Sequence, residues 1–147
     1  MALTYRHFQD EEDGWRIREF LRRVTLINDL HPLCWDVSCW DYWRWHVARN
    51  CFPELSVAGT TLIWETDAGE IAAVLNQEGP GDTWLQIHPA YQTPALIDEA
   101  LTLLENLPGT TDERGRRAIY ASSTDTMRHE VYARHGYRPH EHPNAAE

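Results

Sequence analysis

Two side chains in this 147-residue chain stand out for proton transfer. His88 ends an alternating stretch with an imidazole, which can take or give a proton near neutral pH. Tyr132 carries a phenol that can give a proton to a thiolate. Asp125 precedes it by seven residues, and Glu65 places a carboxylate at the end of an apolar run. Each also has a plain structural reading: a hydrogen-bonded strand histidine, a solvated carboxylate, a helix aromatic packed on a sheet. The spacing of His135, His140 and His142 matches no metal site, and no cysteine or acid completes one. Cys34 and Cys39 lie too far apart for a short zinc knuckle. No metal is therefore expected. No Ser-His-Asp or Cys-His arrangement has a local signature, and Arg114, Arg116 and Arg117 read as a small solvated cluster.

The elements that must position these groups follow from periodicity. Residues 3–8 suit a short first strand. The acidic stretch 10–14 suits a helix start, where carboxylates meet the positive end of the dipole. Ile17, Phe20, Leu21, Val24 and Ile27 then recur at helical spacing, predicting a helix over 12–29 that His31-Pro32 breaks. Trp40, Trp43 and Val47 share a face of a second, short amphipathic helix, with Ser38 as its expected N-cap. Residues 60–65 and 71–76 form a hairpin around a Gly-containing turn. A third strand over 83–88 places Leu85 and Ile87 on one face and Trp84, Gln86 and His88 on the other. A helix over 94–107, a strand over 117–122 and a helix over 126–135 follow, the last stopped by Gly136. Residues 137–140 are expected to begin a final strand, and the polar tail beyond to be loose.

Length and composition suit one soluble domain spanning 1–147. The net charge of −10 argues against nucleic acid, which needs a positive field, and disfavours anionic membranes. The odd count of three cysteines, without a signal peptide, reads as reduced thiols in a cytoplasmic protein. No segment is apolar enough to span a bilayer. Seven tryptophans are many for this length, and composition leaves open whether they fill a core, line a pocket or anchor an interface.

Three local features resemble the GNAT superfamily of acetyl-CoA-dependent N-acyltransferases. Ile87, Pro89, Tyr91 and Gln92 match a strand-end run that leads into the coenzyme loop. A helix start follows at once, of the kind whose backbone N–H groups bind an anion. Tyr132-Ala133-Arg134-His135-Gly136-Tyr137 matches a Tyr, a spacer and a Gly-aromatic pair before the next strand. The resemblance covers most of the chain. It implies an α/β fold with a mixed, mostly antiparallel sheet flanked by helices, in the order β-α-α-β-β-β-α-β-α-β. It further implies acetyl transfer from acetyl-CoA to a small-molecule or peptide amine. Tyr132 would protonate the departing thiolate and His88 would serve as base toward the amine. Ile87, Gln92, Thr93, Ala95, Leu96, Ile97 and Asp125 fall at coenzyme positions, with the N–H groups of Leu96 and Ile97 on the pyrophosphate and Asp125 where an Asn is common.

Departures from the pattern qualify that expectation. The family loop reads Arg/Gln-x-x-Gly-x-Gly/Ala, where glycine lets the pyrophosphate approach the backbone. Here Gln92-Thr93-Pro94-Ala95-Leu96-Ile97 stands instead. Ala95 and Ile97 take the small-residue places, and Pro94 offers no N–H. Asp98 and Glu99 are expected to put negative charge in the first helical turn. Thr93 as N-cap with Pro94 at the first helical position makes a self-satisfied helix start. Only ten residues follow Tyr137, where the family has two more strands. The sequence is thus expected to be a GNAT-like domain with a degraded coenzyme loop, lacking the last strand. Alternatively it is a non-catalytic scaffold paired as a homodimer or with a second GNAT-like domain. The Trp-rich second helix would suit such a surface.

Overall fold

A computed structural model describes residues 2–30 and 33–140. Its centre is a five-stranded sheet in sequential order: β1 (Thr4–His7), β2 (Leu62–Glu65), β3 (Ile71–Gly79), β4 (Asp82–Ile87) and β5 (Ala118–Ile119). The first three pairings are antiparallel and β4–β5 is parallel, because a helix intervenes before β5 instead of a tight turn.

The helices are α1 (Glu11–Ile27), α2 (Val37–Tyr42), one-turn α3 (Val57–Thr60), α4 (Pro94–Glu105) and α5 (Thr126–Arg134). Asp10 caps α1 by accepting from Asp13 N–H. The break expected at His31-Pro32 lies outside the described residues. Asp36, not Ser38, caps α2: its carboxylate accepts from Cys39 N–H at 2.9 Å and from Ser38 Oγ at 2.7 Å. A carboxylate two residues upstream reaches the orphan donor and holds the serine as well. α2 runs on into wide π-helical turns over Trp43–Cys51. The five-residue step from Trp43 to Ala48, both buried, suits that wider winding.

Strand alternation sorts the core onto the two sheet faces. On one face Leu62, Trp64, Ala73, Leu75, Leu85 and Ile87 meet α4 and α5. On the other, Ile63 and Val74 meet α1 and α2. The tryptophan run is mostly core: Trp35, Trp40 and Trp43 are buried, and Trp43 Nε1 donates to Glu78 O at 2.9 Å. The expectation of a Trp-rich docking face is corrected to this extent: of its tryptophans only Trp45 faces out, with Tyr42 beside it. Trp40, Trp43, Trp35, Trp84 and Tyr120 form a continuous chain of ring contacts.

Two expectations at the C-terminal side need correction. Strand β5 is two residues long, not six. Residues 137–140 form no strand: after Gly136 at φ +90°, Tyr137 N–H turns back to Tyr132 O at 3.0 Å and its ring packs toward Tyr132. That closing turn directs the chain onto the end of α5 instead of along the sheet.

Candidate functional site

β4 and β5 stay paired for only two residues, Asp82 with Ala118 and Thr83 with Ile119. Past Tyr120, whose N–H still reaches Thr83 O at 3.1 Å, the strands part. Side chains from α5 fill the gap. Tyr132 OH donates to Tyr120 O at 3.1 Å, and Arg128 Nη1 donates to Leu85 O at 2.6 Å. The two side chains touch at 3.4 Å between Nη1 and the phenol oxygen. One bridge thus ends on each strand, and both satisfy carbonyls that the splay would otherwise orphan.

Asp125 organises this corner. Its carboxylate caps α5 by accepting from Arg128 N–H at 3.1 Å and pairs with Arg128 Nε at 3.1 Å. Gln92 Nε2 lies 3.1 Å from both of its oxygens, tying the loop after β4 to the start of α5. Ile87, Gln92 and Asp125 therefore come together, and all three line a cleft of about 280 Å³ with Arg128, Tyr120 and Met127. Its far wall is Asn28, Leu33 and Cys34, from the end of α1 and the segment before α2. Burial pushes the Tyr132 phenol up, so it stays protonated near neutral pH and remains a donor. Burial also raises the Cys34 thiol, whose Sγ lies 3.8 Å from Ile87 O.

The other sequence candidates lie apart from this cleft or are already engaged. His88 Nδ1 accepts from Ala90 N–H at 3.0 Å, capping the short 3₁₀ turn Pro89–Tyr91, and its ring meets Tyr91 edge-on. Burial, aided by Arg23, lowers its pKa. Glu65 is held by Arg6 at 2.7 Å and Arg16 at 2.8 Å. At the start of α4, Thr93 Oγ1 accepts from Leu96 N–H at 3.1 Å and Thr93 O accepts from Ile97 N–H at 3.2 Å. Pro94 at the first helical position has no N–H to add.

Asp98 and Glu99 are not in the first turn, which holds no acid, because the helix begins at Pro94 and they fall in its second. Glu99 accepts from Trp64 Nε1 at 2.7 Å. Asp98 and Glu105 grip His135 from α5, at 2.7 Å from Nε2 and 2.8 Å from Nδ1. Ala95, Pro94, Asp98, Arg134 and His135 border a second, more open depression. Arg128 was not singled out from sequence. Its only signal was the three-residue spacing from Asp125, which makes them helix-start neighbours. Among the described residues no group of three or more His, Cys, Asp or Glu could hold a metal ion, and no helix is long and apolar enough to cross a membrane.

Comparison with solved structures agrees with this layout. The chain is similar to a GCN5-related N-acetyltransferase from Sphaerobacter thermophilus, with a TM-score of 0.63 and 15% identity over 93% of this chain. It spans 44% of that protein's length. It is also similar to a protein assigned as a phosphinothricin N-acetyltransferase, with a TM-score of 0.54, 13% identity, and coverage of 91% of this chain and 82% of the other. A protein assigned as an acetyltransferase from Exiguobacterium sp. 255-15 gives a TM-score of 0.50 at 11% identity, covering 97% of this chain and 89% of the other. No protein-family model matches the chain, and no curated protein matches it. The fold is GNAT-like, a mixed and mostly antiparallel sheet between helical layers.

Proposed function

We propose that this domain serves an N-acetyltransferase-type protein as its coenzyme-poor half, pairing with a second GNAT-like domain or a second copy rather than performing transfer itself. The observation that carries this reading is Arg128, which reaches from α5 into the strand splay and occupies Leu85 O at 2.6 Å. The helix start tells the same way. An acetyl-CoA pyrophosphate there would seek backbone donors, yet Leu96 and Ile97 N–H are spent on Thr93 and Pro94 has none. With those donors occupied, the helix start does not fit the coenzyme. The length of the Sphaerobacter acetyltransferase, of which this chain spans 44%, supports pairing with another domain. Three free thiols support a reducing, cytoplasmic setting.

A catalytic reading, with Tyr132 as acid, His88 as base and a small-molecule or peptide amine as acceptor, is favoured by one feature: the cleft opens where the strands part, between Ile87 and Asp125. In that reading Leu96 and Ile97 release their bonds to Thr93 and, with Thr93 and Ala95, take the coenzyme. Calorimetric titration with acetyl-CoA separates the two. The scaffold reading expects no saturable heat up to millimolar ligand. Micromolar binding, weakened in Tyr132→Phe or Gln92→Ala, would overturn it.

A further inference from the structure

The cleft has a chemistry of its own once the neighbours of Arg128 are counted. The side chain is 5% exposed, so its charge has lost almost all its water. Nε pairs with Asp125, and Nη1 meets Leu85 O and the Tyr132 hydroxyl. Nη2 has no hydrogen-bond partner among the described residues. Arg128 is also one of the residues that line the cleft.

A guanidinium carries five N–H donors in a planar fork, and leaving one arm unmet in a nearly dry site is costly. Asp125 is in the opposite position. Its oxygens already face Gln92 Nε2, Arg128 Nε and Arg128 N–H. The acid's charge is thus spent inside the protein, while the cation has an arm to spare. An incoming amine would meet a saturated carboxylate beside a positive charge. An incoming single acceptor oxygen would complete the guanidinium, and a charged one makes the stronger bond. Leu33, Ile87, Pro89 and Met127 supply apolar wall beside the polar Asn28 and Ser122, and Tyr120 stands half-open.

We propose that this cleft binds a small monocarboxylate with a short apolar or aromatic body, its carboxylate end-on to Arg128 Nη2 and its body against Ile87, Met127 and Tyr120. A space of about 280 Å³ limits the ligand to the small end of the range for protein pockets. The inference stands whether or not the domain is a scaffold, since it uses only the cleft as it is folded.

Cys34 on the cleft wall supplies the assay, with Cys39 and Cys51 outside the cleft as internal controls. Sodium benzoate is the probe, with benzamide and benzylamine as neutral and cationic isosteres. Iodoacetamide labelling of each cysteine is followed by peptide mass spectrometry on the full chain. Benzoate at ten times its dissociation constant should slow Cys34 labelling about tenfold and leave Cys39 and Cys51 unchanged. Benzamide, a neutral acceptor, should protect Cys34 clearly less than benzoate at the same concentration, and benzylamine should leave all three rates unchanged. Asp125→Asn keeps an N-capping side chain and removes the competing charge, so benzoate should protect at lower concentration. Arg128→Gln should lose protection while Cys39 and Cys51 still label at wild-type rates. If that variant unfolds, the isostere comparison and Asp125→Asn decide alone. Equal protection by benzamide, weaker protection in Asp125→Asn, or no protection by benzoate in the wild type would each overturn the proposal.

Discussion

Replacing Asp13 by asparagine isolates the charge of one almost fully buried carboxylate. Asp13 sits in the first turn of α1 and is 5% exposed. Arg6 from β1 donates to both of its oxygens at 2.7 Å, and Gln9 N–H donates at 2.9 Å. Arg6 also reaches Glu65 on β2, so one cluster pins the sheet edge to the helix start. The hydrogen bonds from Arg6 outweigh burial and hold Asp13 at about 2, against an ordinary 3.8. Such a depression corresponds to about 2 kcal/mol of stability at neutral pH. The folded pKa is the lower one, so this contribution is complete above pH 3.8 and is lost as pH falls through about 2. Near pH 3 about 1 kcal/mol of it remains. Urea unfolding of wild type and Asp13→Asn at pH 7 should differ by about 2 kcal/mol, or roughly 5 °C in Tm. The gap should narrow by about half at pH 3. A gap under about 0.5 kcal/mol at pH 7, the level of an ordinary surface change, would refute the reasoning. So would a gap of equal size at pH 7 and pH 3.

His135 gives the opposite pH dependence. Burial opposes its protonation, but Asp98 and Glu105 together raise its pKa. Its contribution is therefore full below the ordinary histidine value and lost as pH rises through the raised one. NMR titration should show the His135 pKa falling in Asp98→Asn, and an unchanged value would count against the clamp. Gly81 and Gly69 both have positive φ, at +87° and +80°. A Cβ at Gly81 would lie 2.6 Å from Asp112 N and 2.9 Å from Arg116 O, whereas at Gly69 it meets nothing. Thermal melts should show Gly69→Ala costing about 1 kcal/mol and Gly81→Ala clearly more, and equal losses would contradict the geometry. Trp43→Ala removes a 2%-exposed ring and its bond to Glu78 O, and should cost about 3–5 kcal/mol in urea titrations.

Much of the architecture was legible because it rests on periodicity. The spacing of Ile17, Phe20, Leu21 and Val24 sets the buried stripe of α1, and all four are sealed, while Ile27, expected on the same stripe, stands exposed at the helix end. The alternation of Leu85 and Ile87 against Trp84 and Gln86 predicts which sheet face each one serves. Thr93 caps α4 as expected, whereas the capping role of Asp125 on α5 was not read from the sequence. What escaped depends on long-range partners. A buried arginine reads in sequence like a solvated one, and only the splay of β4 from β5 gives Arg128 its place. Ser38 and Asp36 are both capping types, and only the turn geometry selects the acid. The tryptophans looked like a surface because their packing partners lie on β3 and β4, more than thirty residues away.

The chain of rings from Trp40 to Tyr120 also makes the protein its own optical reporter. Successive centroids lie 5.3, 5.8, 5.6 and 4.2 Å apart, close enough for excitation to pass among the tryptophans, and from Tyr120 into Trp84, before it is emitted. The last step is a stacked pair, Trp84 on Tyr120, and Tyr120 forms part of the cleft wall. Light absorbed deep between α2 and the sheet can thus report on polarity at the mouth of the cleft. The outlying Trp15 and Trp45 are solvated and add a steady red-shifted background. Against that background, anything that enters the cleft or tilts the Tyr120 ring changes the colour and yield of the interior array, without any label attached.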